Sequence, residues 1–190
     1  MAGVIYVSNE KILYVNCCVR DESRTNRVAQ ALLNKMNQEY EELKLYEENL
    51  TPLTKETLEK RTQFIENRDY SSPMFKYAKQ FAKADIIVIS APYWDLSFPA
   101  ELKIYIENIY VTGITSRYGA NGVPIGLCKA KKLYYVTTAG GPYLPDYSYD
   151  YIKDLAKCFG IMETELIKVE MLDVDGVCAD GLVSKAINNM

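Results

Sequence analysis

The stretch Asp85–Pro99, DIIVISAPYWDLSFP, joins the most continuous apolar run of the chain to its only tryptophan. Ile86–Ile89 is apolar at every position, not at every second one. A strand reads this way when both of its faces are covered. Such a strand belongs in the middle of a parallel sheet with a helical layer on each side. The adjoining segment, APYWDLSFP, is a short loop with three aromatics and two prolines, placed where a parallel strand hands its chain to the next helix.

Working outward, strand-like and helical patterns alternate. Lys11–Cys17 (KILYVNC) reads as the first clear strand. A helix is expected from Ser23 to about Gln38, with Val28, Ala29, Leu32, Leu33 and Met36 on one face. Glu42–Glu47 alternates like a shorter strand. Leu50–Ser72 is a polar excursion with one helix around Lys55–Glu66, and Met74–Lys83 is a helix leading into the central strand. Pro99 suits the first position of the next helix, whose stripe is Leu102, Ile106 and Ile109. Lys132–Thr138 is the fourth main strand. Tyr147–Phe159 is a helix stopped at Gly160, Glu165–Met171 a fifth strand, and Asp180–Asn189 a closing helix. Five β-α units imply one domain over 1–190: a doubly wound, three-layer α/β sandwich with a five-stranded parallel sheet. GVIYVS-NE-KILYVN also fits a hairpin, but a central first strand has both edges occupied. Residues 1–10 are therefore set apart as an extension of unassigned placement.

Composition narrows the chemistry. The net charge of −3 is too mild for broad nucleic-acid binding, and no apolar run reaches the roughly 18 residues of a membrane helix. The first residues lack the basic start and long apolar stretch of a secretory signal, so a cytoplasmic location is expected. Five cysteines without C-x-x-C spacing argue against a disulfide framework or a zinc ribbon, and no metal is expected. Histidine is absent, which removes Ser-His and Cys-His catalysis and points to a borrowed cofactor for any hard chemistry. Sixteen tyrosines suit a wet cofactor cleft or an interface.

In open α/β sheets, ligands sit at the carboxyl ends of the strands, where the strand order reverses. Three loops lie there. In CVRDESRT, Ser23 and Thr25 offer hydroxyls and the helix after them offers first-turn amides, with Arg20 and Arg24 adding charge suited to phosphate. Ser23 alone reads equally well as a helix cap with the arginines in solvent, and a phosphate here requires Asp21 and Glu22 to point outward. The aromatic loop after Ser90 makes a flat apolar wall for a fused ring, or else a hydrophobic plug or interface patch. In TAGGPY (Thr138–Tyr143), the glycine amides can approach a ligand edge, although Gly-Gly-Pro is also a common plain turn.

Taken together and in order, these segments resemble the flavodoxin-like, FMN-dependent NAD(P)H:quinone oxidoreductase and NADH-azoreductase family from Lys11 onward. The strand–SRT–helix opening matches the family's FMN-phosphate loop at Cys17, Ser23, Arg24 and Thr25, with Arg20 beside them. Pro92, Tyr93, Trp94, Asp95 and Leu96, and then Leu102–Lys103, match its isoalloxazine loop. TSRYGANGVPIGLCKAKK resembles the stretch before its fourth strand. Thr138, Ala139, Gly140 and Gly141 match its second flavin loop. The resemblance implies a homodimer with one FMN per subunit and NADH or NADPH as donor. It also implies ping-pong hydride transfer to a small aromatic acceptor such as a quinone or azo compound.

Two positions depart from the pattern. Asp95 stands where azoreductases carry Asn, and its charge disfavours an anionic reduced flavin. Tyr143 stands where some relatives have a substrate-facing His. It is the candidate catalytic side chain, but with an ordinary pKa of about 10 it is a donor and not a base. Two other readings stay open at this level: a one-electron flavodoxin-type carrier, and an FMN-binding regulatory protein with little turnover.

Overall fold

The computed structural model describes residues 10–143, 145 and 147–190. The hairpin considered for residues 1–10 lies, but for Glu10, outside the described residues. The elements in chain order are β1 (Ile12–Asn16), α1 (Arg24–Met36), β2 (Tyr40–Lys44), α2 (Lys55–Glu66), α3 (Lys76–Lys83), β3 (Ile86–Ser90) and α4 (Ala100–Ile109). They continue with β4 (Ser116–Tyr118), β5 (Pro124–Gly126), β6 (Lys132–Thr138), α5 (Tyr149–Cys158), β7 (Glu163–Val169) and α6 (Ala179–Asn189).

The main sheet is parallel and ordered β2-β1-β3-β6-β7. Alternation along its strands creates two cores. Leu13, Val15, Ile87, Ile89, Leu133 and Tyr135 face one cluster, where Phe81 of α3, Leu102 and Tyr105 of α4 and Phe159 at the end of α5 close over them. Ile12, Tyr14, Val88 and Val136 face the other, covered by Val28, Leu32 and Leu33 of α1 and Val183 of α6. Burying an Ile or Val side chain fully is worth about 1.5–3 kcal/mol, against about 1–2 kcal/mol to fix each residue's backbone. The unbroken apolar run of β3 therefore settles in the sheet centre. The three-layer doubly wound sandwich, flavodoxin-like in topology, is the architecture expected from the sequence.

Several boundaries differ from the sequence expectation. The second strand is Tyr40–Lys44, because pairing with β1 sets Ile12 beside Tyr40 and Asn16 beside Lys44; Leu45–Glu47 then turns into a 3₁₀ segment that buries Leu45. The fifth strand starts at Glu163, paired with Lys132, and ends at Val169. Its exposed edge carries polar side chains that hide it from a hydrophobicity pattern. Pro99 is the cap of α4 and not its first helical residue. The antiparallel pair β4–β5 is new; its weak apolar content gives no periodic signal.

The polar excursion is moored by a cation. Arg61 of α2 donates to the carbonyls of Glu107 (2.8 Å) and Tyr110 at the C-terminus of α4, where the helix dipole favours positive charge. Gly160, at φ +86°, follows Phe159, the C-terminal cap of α5, and the backbone of Gly126 on β5 packs directly on it. A Cβ added at Gly126 would lie 2.0 Å from both the Gly160 nitrogen and the Phe159 carbonyl carbon.

Backbone atoms do not yield as side-chain tips do. Gly126→Ala is thus expected to lower unfolding free energy by roughly 1–3 kcal/mol in urea titration. Gly141→Ala, where an added Cβ meets nothing within 4 Å, should stay within about 0.5 kcal/mol of wild type. Equal midpoints for the two variants would contradict this packing.

Candidate functional site

The strand order reverses between β1 and β3, and the site is built where those strands end. Their register places Asn16 beside Ser90. Just beyond, the Cys17 amide donates to the Ser90 carbonyl (2.9 Å). A buried polar cluster lies below the turn. Tyr14 donates to Asn26 Oδ1 (2.7 Å) and pairs with Ser90 Oγ (2.8 Å). Asn16 Oδ1 accepts from the Cys18 amide (2.9 Å), while Asn16 Nδ2 donates to Glu42 (2.8 Å). Side chains of β1, β2, β3 and α1 thereby fix the path of the loop into α1.

Ser23 caps α1, its hydroxyl accepting from the Asn26 amide (3.2 Å). The Arg27 amide bonds to the Ser23 carbonyl. Arg24 and Thr25 then hold the first two helical amides, which have no carbonyl one turn earlier within the helix. Thr25 is buried, and its hydroxyl pairs with that of Thr138 at 2.6 Å, tying the first loop to the end of β6. Arg24 reaches across to Leu172 O (3.2 Å) and Asp173 Oδ1 (2.8 Å). Arg20 is exposed and has no ion pair among the described residues.

The aromatic loop continues the pairing of β3 with β6: the Ala91 amide donates to Val136 O and the Tyr93 amide to Thr138 O, both at 3.0 Å. Trp94 and Ser97 then exchange backbone hydrogen bonds around Asp95 and Leu96, which sit at φ +50° and +67°. The left-handed turn leaves both side chains exposed. On the third loop, the Ala139, Gly140 and Gly141 carbonyls accept from the Leu172, Asp173 and Met171 amides (3.2, 2.9 and 3.1 Å). The Gly140 and Gly141 amides find no backbone acceptor among the described residues.

These pieces line a cleft of about 390 Å³, within the usual range for a cofactor pocket. Of the anticipated site residues, Arg20, Ser23, Arg24, Thr25, Pro92, Tyr93, Trp94, Thr138, Ala139 and Gly140 line it. Cys17 does not. Alternation puts its side chain with Leu13 and Val15 in the α3–α4 core, where burial pushes the thiol pKa well up. Its neighbour Cys18 lines the cleft instead. Asp95 and Leu96 are exposed to solvent and, like Gly141, lie outside the lining. Tyr143 is buried, its ring tilted at 47° against that of Tyr93 with 4.4 Å between centroids, its hydroxyl on Ser148 and its amide on Glu170 (2.7 Å). It supports the aromatic wall from behind and is not part of the lining.

Sequence reasoning missed Cys18, Val19, Leu172 and Asp173 in the lining; Glu22, expected to point outward beside a phosphate, is exposed but lines the cleft as well. The rule that located the other loops would have found Leu172 and Asp173, since they come after the carboxyl end of the fifth strand. A larger cleft, about 550 Å³, runs between α3 and the start of β1. Its lining mixes Lys76, Lys79 and Lys83 with Glu41, Glu42 and Glu48, and the hydroxyl of Tyr77 there is taken by Glu48. It lies by the amino end of β1, off the switch point. Among the described residues no group of three or more His, Cys, Asp or Glu side chains could hold a metal, and no helix is long and apolar enough to cross a membrane.

Residues 10–188 match the family model described as flavodoxin-like fold. The chain is 37% identical over 194 residues to an FMN-dependent NADH:quinone oxidoreductase of Coprothermobacter proteolyticus, covering 93% of this chain and 94% of that protein. It is 36% identical over 188 residues to one of Clostridium perfringens, with the same coverage. Among solved structures, an azoreductase from Bacillus anthracis superposes with a TM-score of 0.83 at 23% identity, covering 95% of this chain and 96% of that one. An FMN-dependent NADH-azoreductase from the same species, solved in complex with FMN, gives 0.80 at 21% identity, with 95% of each chain covered.

The turn at Asp95–Leu96 sets a stability test. A non-glycine residue in the left-handed region costs roughly 1–2 kcal/mol, and a β-branched one more. Leu96→Val should lower stability by about 1–2 kcal/mol in urea titration although the side chain is exposed, while Leu96→Gly should cost nothing or stabilise. A Val variant as stable as wild type would argue against the left-handed turn.

Proposed function

The chain belongs to the flavodoxin-like oxidoreductase family that includes the FMN-dependent NADH:quinone oxidoreductases, and from that premise we propose that it uses FMN to pass two electrons from NAD(P)H to quinones, azo compounds or similar flat acceptors. The observation that carries this reading is the convergence of three features in one cleft. They are uncommitted first-turn amides, an aromatic wall and a diglycine loop with its carbonyls turned away.

The residues present fit the cofactor. The amides of Arg24 and Thr25, the Ser23 hydroxyl and the guanidinium groups of Arg20 and Arg24 make a phosphate cradle at the positive end of α1. Pro92, Tyr93 and Trp94 frame the ring face. The Gly140 amide, at the cleft, would support negative charge at the ring edge. FMN, when bound, supplies the hydride chemistry. The protein orients the ring, excludes water from one face and balances charge. Tyr143, buried behind Tyr93, acts through the placement of that ring and not as a proton donor to substrate.

We read the chain as one domain that works as a homodimer with one FMN per subunit. Support comes from apolar side chains left at the surface, including Tyr118 (68% exposed) and Val123 (56%) around β4–β5 and Leu96 beside the cleft. Five unpaired cysteines suit a reducing, cytoplasmic setting. Sedimentation at micromolar concentration tests the dimer; a monomer would remove it.

Titration of the apo-protein with FMN should strongly quench Trp94 fluorescence, and anaerobic NADH or NADPH should then bleach the bound flavin. Losing the Thr25 hydroxyl, which ties the phosphate loop to Thr138, should cost about 1 kcal/mol of FMN affinity in Thr25→Ala, with Thr25→Ser restoring most of it. No quenching and no bound flavin would overturn the cofactor assignment, and bound flavin without NAD(P)H turnover would overturn the reductase.

A further inference from the structure

Asp173 is a carboxylate standing in a cleft read as a phosphate site. Its amide donates to Gly140 O (2.9 Å), and its Oδ2 fills the space above the Gly140 α-carbon, 2.4 Å from where a Cβ would sit. Its Oδ1 accepts from Arg24 Nη1 (2.8 Å). Arg24 is also the first residue of α1, beside the amides that would cradle an anion. Four ionised side chains line the cleft: Arg20 and Arg24 against Glu22 and Asp173. Their formal charges cancel, so the side chains bring no net positive charge to the cleft.

We propose that Asp173 is a specificity-determining residue that competes with the cofactor's phosphate for Arg24, so that binding exchanges one ion pair for another and holds FMN affinity down. This rests on the FMN reading above. The alternative role for the pair is a brace between α1 and the loop after β7. The brace does not need the carboxylate, because Arg24 also donates to Leu172 O, and the Leu172 and Asp173 amides already tie that segment to Ala139 and Gly140. Both partners are well exposed, at 41% and 71% of their side chains, and such pairs add little to stability. The electrostatic consequence is larger than the structural one. A unit charge removed from within a few ångströms of a dianion in a largely wet site changes affinity roughly 3–10-fold.

The test compares FMN with riboflavin, which lacks the phosphate, by Trp94 quenching of wild type, Asp173→Asn and Asp180→Asn at low and at 0.3 M salt (about three times the ionic strength at which screening acts over about 10 Å). Asn preserves the volume above Gly140. Asp180 pairs with Arg27 on the same helix as Arg24, at 2.7 Å, but does not line the cleft, so its variant makes the same change in net charge elsewhere. The expected result is roughly 3–10-fold tighter FMN binding for Asp173→Asn, less at high salt. Riboflavin binding should be unchanged, as should both ligands with Asp180→Asn. Asp173→Asn that weakens FMN, leaves it unchanged, or moves FMN and riboflavin together would overturn the proposal and leave the pair a brace. Wild-type protein that binds neither flavin would overturn the cofactor reading itself, a distinct outcome.

Discussion

The register between β1 and β3 is the constraint on which the rest of the site depends. Because Asn16 lies beside Ser90, the two strands end level, and their last polar side chains meet Tyr14 and Asn26 in one buried cluster. Such a cluster is costly unless every member is bonded, so it admits few alternative arrangements of the turn into α1. Shifting either strand by one residue would turn Asn16 and Ser90 toward the α3–α4 core and Val15 and Ile89 toward α1. The first turn of α1 would then lose its footing, and with it the amides that make the cleft receptive to an anion.

The loops contribute by restricting themselves. The aromatic loop prolongs the pairing of β3 with β6 for three residues before the left-handed turn at Asp95–Leu96 reverses it, so Tyr93 and Trp94 are placed by backbone bonds and not by side-chain contacts alone. The diglycine loop turns its carbonyls toward Met171–Asp173 and leaves its amides facing the other way. A chain without histidine offers a redox cofactor backbone polarity, ring faces and two arginines at this cleft. That suits a reaction in which the cofactor carries the bond changes and the protein supplies orientation.

Charge is distributed with restraint. Arg24 is not a bare anion receptor but one already engaged by Asp173 and Leu172. The segment after β7 thus belongs to the site as much as the three loops anticipated for it. The carboxylate of Asp173 also stands in the space that a side chain at Gly140 would enter.

The amino-acid sequence by itself determined the layers. The unbroken apolar run of Ile86–Ile89, the helical stripe from Val28 to Met36 and the capping signals at Ser23 and Gly160 are local, and local periodicity answers to which faces are buried. It also located three of the four loops that line the cleft, since strand ends can be read from strand patterns. Direction and partnership were decided only by the tertiary structure. Cys17 and Cys18 are adjacent and chemically alike, yet strand alternation sends one into the core and the other to the cleft. Asp95 and Leu96 match a cofactor loop in order but stand exposed, outside the lining, on a left-handed pair. Tyr143 is buried behind Tyr93, and Asp173, 149 residues from Arg24 in the chain, is brought to it by the fold. A side chain's partner across such a distance is set by the packing of whole elements, and no short window of sequence contains that information.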